Sequence, residues 1–265
     1  MEKKRQEELF LEAKNFFNET KKDIIRAAKG ERVIQLPFTK LTEFSPDLAD
    51  KTIENPEETI ALLENALAEL ELIKNPRIRL LEVPKIAQEK IRNIRVKHLD
   101  QLLAIEGIVR QASDVKPQVV NARFECPSCG AILSVLQVDR KFRDPSRCSC
   151  NWKGSFKLLS KEMVDVQRLV IEESPDTLEG GEQPRRINVF LKEDLVEPKM
   201  ERHATPGSKI KIYGILKEVP VPLQTGISTR FDIAVEANNI IPMDESFEDL
   251  DISEEDIKEI MELSS

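Results

Sequence analysis

The hydrophobic residues of the first 73 positions follow a helical period. Ser45 and Asn55 each precede a proline, which is the pattern of a helix N-cap followed by its first turn. Apolar residues recur at intervals of three or four around these helix starts: Leu9, Phe10, Ala13, Phe16, Phe17, Ile60, Leu63, Leu67 and Leu70. We therefore predict a helical bundle over this region, with the apolar stripes forming its core.

Beyond Asn75 the pattern changes to short runs rich in Val, Ile and Leu, separated by Pro and Gly, as in all-β barrels and sandwiches. The predicted strands are QLLAIEGIVR, PQVVNARFE, VDVQRLVI, RINVFL, KIKIYGIL and RFDIAVEANNII. Gly107 and Gly214 interrupt two of them, as expected where a small barrel bends. Five main strands with one insertion are typical of an OB-type β-barrel. The predicted fold class is α+β with several lobes: a helical bundle followed by this barrel.

All four cysteines lie in the insertion, within FECPSCGAILSVLQVDRKFRDPSRCSCNWKGSF. Cys126 and Cys129 form a C-x-x-C pair, and Cys148 and Cys150 form a C-x-C pair. Two close thiolate pairs around a hairpin-sized loop are the pattern of a structural zinc site. Four thiolates fill the tetrahedron, whereas a catalytic zinc keeps a position open. The alternatives are a pair of disulfides, which are rare inside cells, or four reduced buried thiols, which do not explain why every cysteine lies within 25 residues.

Catalytic motifs are absent from the sequence. It contains no Walker-type phosphate loop, no G-x-G-x-x-G after a strand and no H-E-x-x-H. The C-x-C turn is tighter than usual, so His98 and His203 are considered as outside ligands of the metal. We expect no catalytic residue in this chain.

The net charge of −8 is concentrated near the C-terminal end. Residues 244–262 hold ten acidic residues and one lysine, so the remaining chain is almost neutral and a polyanionic partner is not excluded. No apolar run approaches the roughly 20 residues of a membrane helix, and the first ten residues are charged. We expect an intracellular protein without a membrane partner.

Basic residues are dense before and along the predicted strands. Between Lys74 and Lys97 the chain carries eight basic residues against two acidic ones. On a barrel such residues could follow a phosphate backbone, and the alternative is that they are scattered, solvated charges. Because aromatic residues make up only 5% of the chain, base stacking would contribute little.

Four features occur in a defined order: IRNIRVKHLDQLLAIEGIVRQASDVKP, the cysteine pairs, VQRLVIEESPDTLEGGEQPRRINVFLKEDLVEPKMERHATPGSKIKIYGIL and ISEEDIKEIMEL. As an ordered set they resemble the N-terminal region of archaeal minichromosome maintenance (MCM) replicative helicases. The resemblance implies five segments: a helical lobe (1–75), the first part of an OB barrel (76–122), a zinc lobe (123–158), the second part of the barrel (159–243) and an acidic linker towards an ATPase domain (244–265). The second part of the barrel would carry a projecting hairpin at about 217–230.

The family resemblance also implies partners and sites. In the family the barrels form a collar around DNA, the zinc lobes help two hexameric rings to meet, and ATP and Mg²⁺ belong to the ATPase domain. The expected partners are single- or double-stranded DNA, further copies of the chain in a hexamer or double hexamer, and other replication factors. The expected location is the nucleoid in the cytoplasm.

The resemblance assigns roles to individual residues. It implies DNA contacts at Arg110 and Arg168, and the pattern of basic residues along the strands adds Lys116, Arg123, Lys217 and Arg230 as expected DNA contacts. The implied inter-subunit regulatory loop carries Glu172, Glu173, Glu182 and Arg185. This chain departs from the family in its hairpin, which has no basic residue between Lys217 and Arg230.

Two other functions remain open from the sequence. One is a free-standing OB and zinc-ribbon protein that binds single-stranded nucleic acid, and a native stop at the end of the chain would favour it. The other is a structural adaptor that contacts proteins through its helical lobe and acidic tail, which an absence of DNA binding at low salt would favour.

Overall fold

The computed structural model describes residues 2–20, 32–70, 73–136, 142, 144–175, 182–201, 204–220 and 231–243. The acidic segment from residue 244 onward and the expected hairpin tip at 221–230 lie outside the described residues. The expectations for those two segments therefore remain predictions.

Within the described residues, the N-terminal lobe consists of four helices and two strands. The helices are α1 (Glu2–Glu19), α2 (Phe38–Phe44), α3 (Pro46–Glu54) and α4 (Pro56–Glu69). The strands β1 (Val33–Pro37) and β2 (Arg77–Leu81) pair in parallel, with Ile34 opposite Ile78. Strand β1 corrects the prediction of helix throughout this region, because Ile34 and Leu36 alternate with more exposed neighbours and their strand pairs with β2.

The two predicted helix caps differ in outcome. The Ser45 hydroxyl accepts a hydrogen bond from the Leu48 amide at 3.3 Å, which confirms the first cap. The Asn55 side chain makes no capping hydrogen bond. Instead, the Thr59 hydroxyl donates to the Asn55 carbonyl at 2.8 Å within the same turn.

The core of the N-terminal lobe continues onto the barrel. Phe16, Phe17 and Leu63 are fully buried between the helices. The same cluster includes Leu102 and Tyr213, which belong to barrel strands. The lobe is therefore packed against the outside of the barrel by a shared apolar core.

A closed β-barrel follows the N-terminal lobe. Its strands are β3 (Leu102–Ala112), β6 (Lys157–Glu172), β7 (Arg186–Lys192), β8 (Lys209–Pro220) and β9 (Phe231–Pro242), and the short helix α5 (Pro198–Glu201) lies between β7 and β8. The order β3-β8-β9-β7-β6 closes on itself because β3 also pairs with β6. Strands β7 and β9 are parallel, and the other pairs are antiparallel.

Two glycines allow barrel strands to approach closely. A Cβ added at Gly107 would lie 2.5 Å from the Glu172 carbonyl oxygen, and one at Gly214 would lie 2.5 Å from Val235 Cγ1. The pairing of β8 with β9 shifts register between Tyr213 and Gly214, which confirms the irregularity expected there.

The cysteine insertion extends from one side of the barrel. Strand β4 (Lys116–Glu125) pairs with β6 and with β5 (Ile132–Leu136). The cysteines lie beyond the ends of these strands, in the turns 126–131 and 144–156. Because β6 pairs both with β4 of the cysteine insertion and with β7 of the barrel, the position of the cysteine turns is fixed relative to the barrel.

Candidate functional site

The four cysteine sulfur atoms lie close together. The Sγ atoms of Cys126 and Cys150 are 3.6 Å apart, as are those of Cys129 and Cys148. All four Sγ atoms lie within 4.8 Å of one another. A tetrahedral zinc with Zn–S bonds of about 2.3 Å would separate its sulfur ligands by about 3.8 Å. The cluster therefore fits a tetrahedral metal ion, and the C-x-C pair is placed to supply ligands as well as the C-x-x-C pair.

Both cysteine pairs sit on tight backbone turns. The Gly130 amide donates to the Cys126 carbonyl at 2.8 Å, and the Asn151 amide donates to the Cys148 carbonyl at 2.9 Å. Gly130 and Asn151 both have positive φ, 69° and 68°. Glycine and asparagine adopt this left-handed conformation at the lowest cost. The sequence thus places a turn-forming residue directly after Cys129 and directly after Cys150.

Backbone amides also act on the sulfur atoms. The Trp152 amide donates to Cys150 and is the main cause that lowers the pKa of this thiol to about 6. At Cys129 the Ala131 amide lowers the pKa, but hydrogen bonds with the other thiols and burial together raise it to about 12. Four adjacent thiolates repel one another, and a bound cation removes that repulsion.

His98, one of the two histidines considered as outside ligands of the metal, does not join this cluster. His98 lies in the short helix Val96–His98, where its Nδ1 accepts from the Arg95 amide at 3.2 Å and its Nε2 is 3.6 Å from Glu89. Among the described residues, the metal-binding group consists of the four cysteines alone. His203 lies outside the described residues.

Four of the predicted DNA contacts are exposed on barrel strands or their extensions. Arg110 lies on β3, Lys116 and Arg123 lie on β4, and Arg168 lies on β6. The register places Lys116 opposite Val166, two residues before Arg168, so these two cations share one end of the β4–β6 pair. Arg123 lies at the other end of β4, close to the cysteine turns.

Lys217 is engaged in two ion pairs with other parts of the chain. Its Nζ lies 2.5 Å from a Glu57 carboxylate oxygen on α4 and 2.9 Å from an Asp100 carboxylate oxygen. Burial alone would lower the pKa of Lys217, but hydrogen bonds to the two carboxylates raise it. Lys217 therefore links the N-terminal lobe to the base of the β8–β9 connection. Arg230 lies outside the described residues.

Glu172, from the predicted regulatory loop, is a buried carboxylate that holds two arginines. Its side chain is 3% exposed. Glu172 Oε1 accepts from Arg110 Nε at 2.8 Å and from Arg110 Nη2 at 2.5 Å, and Oε2 accepts from Arg186 Nε at 2.6 Å. The hydrogen bond from Arg110 is the main cause that lowers the pKa of Glu172. The carboxylate is therefore ionised at neutral pH and fixes both guanidinium groups.

Glu173 plays the same part for the next pair of basic residues. Its carboxylate, 4% exposed, accepts from the Arg92 amide at 2.8 Å, from Arg92 Nη2 at 3.0 Å and from the Arg185 amide at 3.1 Å. Burial raises the pKa of Glu173, and the hydrogen bonds from Arg92 and Arg185 lower it by more. Glu182 forms an ion pair with the remaining Nη1 of Arg92. The four residues predicted for the loop thus meet around Arg92 and the ends of β6 and β7.

A cavity of about 310 Å³ opens between these elements. Four arginines line it, and we call it the arginine cleft: Arg92, Arg95, Arg185 and Arg186. In the sequence, Arg92 and Arg95 belong to the basic stretch from Lys74 to Lys97, whereas Arg185 belongs to the expected regulatory loop, and nothing in the local pattern joins them. Their proximity depends on the pairing of β6 with β7, which places Glu172 opposite Arg186. The Pro-Arg-Arg sequence after the acidic loop was the available signal.

Known proteins resemble the chain in sequence and in fold. The family described as the MCM OB domain matches residues 90–220. The minichromosome maintenance protein MCM of Saccharolobus solfataricus is 27% identical over 274 residues, covering 94% of this chain and 38% of that protein. The DNA replication licensing factor MCM4 of Drosophila melanogaster is 30% identical over 206 residues, covering 74% of this chain and 23% of its own length. The chain belongs to the MCM family.

The structural comparison agrees with this assignment. The crystal structure of the N-terminal domain of an archaeal MCM has a TM-score of 0.72 and 24% identity, with 89% of this chain and 99% of that one covered. This shared fold and the matching OB domain confirm the predicted OB barrel with a cysteine cluster. The MCM chain spans well under half the length of the curated relatives described above. Within its described part, no helix is long and apolar enough to cross a membrane.

Proposed function

We propose that this MCM chain is the DNA-encircling, ring-assembling and regulatory N-terminal part of a replicative helicase. The observation that carries this proposal is the match of its barrel to the MCM OB domain, with the cysteine cluster built into the same barrel. The relatives named as DNA replication licensing factors support DNA as the substrate. In the longer protein, ATP and Mg²⁺ would bind to an ATPase domain that would supply the free energy for unwinding.

We propose that the cysteine cluster binds a structural Zn²⁺ through Cys126, Cys129, Cys148 and Cys150. The sulfur separations support this ion because they match a tetrahedral thiolate site. Thiolates favour soft metals such as zinc. The ion would join two turns of a lobe that has little apolar core of its own, so that zinc binding and folding of this lobe are coupled.

For DNA, we propose that Arg110, Lys116, Arg123 and Arg168 contact phosphates. Their exposure on adjacent strands supports this role, as does the scarcity of aromatic residues for base stacking. Arg230, which lies outside the described residues, is also proposed to contact DNA. The ion pairs of Lys217 favour a role in holding the N-terminal lobe to the barrel over a DNA contact.

The loop that begins at Glu172 is proposed to regulate neighbouring subunits. Glu172, Glu173, Glu182 and Arg185 support this proposal because each of them contacts the elements around the arginine cleft. We further propose that the protein acts in the nucleoid as a hexamer or double hexamer, together with other replication factors.

A salt titration of DNA binding tests the proposed phosphate contacts. We expect the double variant Lys116→Glu, Arg168→Glu to bind a labelled oligo(dT) more weakly than the unchanged chain in fluorescence anisotropy. Because each phosphate contact on a single strand contributes about 0.7 to the slope of log K against log salt, that slope should become shallower. The charge-matched control Lys40→Glu, Lys199→Glu should change both quantities less. Equal effects of the two double variants would contradict the proposed face of the barrel.

A further inference from the structure

The arginine cleft has the composition of an anion-binding site. Four arginines line it, and three carboxylates form ion pairs with Arg92 and Arg186: Glu172, Glu173 and Glu182. Arginine stays protonated at any pH near neutrality, and Glu172 and Glu173 are ionised there because their pKa values are lowered. The cleft therefore carries one positive charge more than its own carboxylates neutralise.

We propose that the arginine cleft binds the phosphate of one nucleotide unit and that Glu182 competes with this phosphate for Arg92. The inference rests on the proposed DNA-binding function and extends it to a site apart from the exposed cations of the barrel strands. It assigns Glu182 the role of an internal anion that occupies part of the site when no phosphate is bound.

The buried carboxylates fix the arginines in place before a ligand arrives. Glu173 holds Arg92 through its backbone amide, Nε and Nη2, and Glu172 holds Arg186 through Nε. Both carboxylates are nearly inaccessible to solvent, so they lie beneath the guanidinium groups. Such fixed donors bind an anion at a lower entropic cost than free side chains do.

Several donors of the cleft remain available to a ligand. Within the described part of the chain, the Arg185 guanidinium forms no ion pair, and this residue is held through its backbone, whose amide donates to the Glu173 carboxylate and whose carbonyl accepts from the Glu173 amide. Arg186 uses Nε alone, and its side chain is 64% exposed. Arg95 uses Nη1 for two backbone carbonyls. Guanidinium groups bind phosphate oxygens through paired N–H donors, which suits these three residues.

The remaining lining of the cleft is apolar and suits the rest of a nucleotide. Its three other side chains are Ile91, Ile187 and Ile233. A bare phosphate would leave these side chains without a contact, whereas a nucleotide unit would place its sugar or base against them. The cavity of about 310 Å³ lies at the lower end of the range for small-ligand sites, about 300 to 1,000 Å³.

Glu182 is the carboxylate that a ligand can replace. It pairs with Arg92 from the surface, with 42% of its side chain exposed. Exposed ion pairs contribute little to stability, typically less than about 1 kcal/mol. A phosphate that approaches Arg92 would therefore displace Glu182 more easily than Glu173. This exchange would connect occupancy of the cleft to the regulatory loop.

Two substitutions of opposite sign test the site. In the chain as it stands, Arg185→Gln should weaken oligo(dT) binding about fivefold at low salt and flatten its salt dependence. Glu182→Gln should tighten the same binding, because it removes the competing negative charge. The matched controls Lys199→Gln and Glu58→Gln lie on exposed surfaces of α5 and α4, and they should leave the affinity unchanged.

A second probe separates the cleft from DNA binding in general. We expect dTMP to shift the NMR signals of the Arg185 and Arg92 Nε–Hε groups, and Arg185→Gln should weaken this effect. The site is overturned if both single variants, Arg185→Gln and Glu182→Gln, bind oligo(dT) like the unchanged chain and dTMP shifts neither signal. In that case the proposed function still stands if the double variant Lys116→Glu, Arg168→Glu binds oligo(dT) more weakly.

The same measurements also distinguish a phosphate that belongs to DNA from the phosphate of a free nucleotide. If the unchanged chain does not bind oligo(dT) at low salt, the proposed function fails. Shifts caused by dTMP would then support a site for a free nucleotide, and their absence would overturn the site as well.

Discussion

At the scale of single residues, the cysteine cluster is the site whose geometry depends most directly on the local sequence. The turn residues Gly130 and Asn151 follow their cysteines directly, and both adopt the left-handed conformation that their positions require. The thiols of Cys129 and Cys150 have pKa values moved in opposite directions, to about 12 and to about 6. A bound cation would stabilise all four thiolates together, which supports the proposed metal.

Removal of one sulfur ligand tests this assignment. We expect Cys129→Ser to lower the zinc content well below one ion per chain and to lower the midpoint of thermal unfolding, because three thiolates hold the ion less tightly than four. Zinc can be measured by elemental analysis after dialysis against a weak chelator. Ser149→Ala, between the cysteines of the second pair, is the control and should keep the metal. Full zinc retention by Cys129→Ser would contradict a four-cysteine site.

The sequence could predict the cysteine ligands because each pair is local, whereas the partners of the arginines depend on strand register. Arg110 meets Glu172 across 62 positions of the chain, next to the bulge between Val109 and Gln111. A shift of one residue would turn either side chain to the other face of the barrel. Arg92 meets Glu173 across 81 positions of the chain, so this contact too depends on the tertiary fold.

At the scale of elements, strand β9 completes the hydrogen bonding of strand β2 with side chains. Asn238 Oδ1 accepts from the Leu80 amide at 2.8 Å, and its Nδ2 donates to the Ile78 carbonyl at 3.0 Å. Asn239 Nδ2 donates to the Leu80 carbonyl at 2.8 Å. Arg79 adds an ion pair with Asp194 beside these contacts. The N-terminal lobe is therefore joined to the barrel by satisfied polar groups as well as by its apolar core.

Truncation of one of these asparagines tests the seam between the lobes. We expect Asn238→Ala to reduce the free energy of unfolding by about 2 kcal/mol, because the buried Leu80 amide and Ile78 carbonyl lose their partners. Urea unfolding followed by circular dichroism measures this loss. Asn121→Ala, at a half-buried position of β4 whose side-chain hydrogen bond with Ser134 is exposed, should cost much less. Equal costs for the two variants would mean that the asparagine contacts do not stabilise the seam.

The barrel strands could be predicted from alternation and turn residues, but strand β1 could not. Val33–Pro37 is short and lies between helices, so its pattern of apolar and polar residues cannot be distinguished from that of a short helical segment. Its partner β2 lies beyond three helices, which form the crossover that a parallel pair requires. The existence of β1 depends on that tertiary contact and is therefore not visible in the local sequence.

At the scale of the whole molecule, ion pairs connect the N-terminal lobe with two parts of the barrel. Arg77 joins Glu64 of α4 to Glu193 after β7. Lys217 joins Glu57 of α4 to Asp100 and to strand β8, whose far end leads to the expected hairpin. A displacement of the lobe would break both sets of contacts, so the lobe and the base of β8 are mechanically linked.

If copies of this chain assemble into a ring around DNA, as we propose, the mass of the protein in solution should show it. Light scattering would be measured on zinc-loaded protein at low salt, with and without a long single-stranded oligonucleotide. We expect a hexamer or double hexamer that contains the oligonucleotide. A mass of one chain in both samples, with no oligonucleotide bound, would rule out the proposed ring.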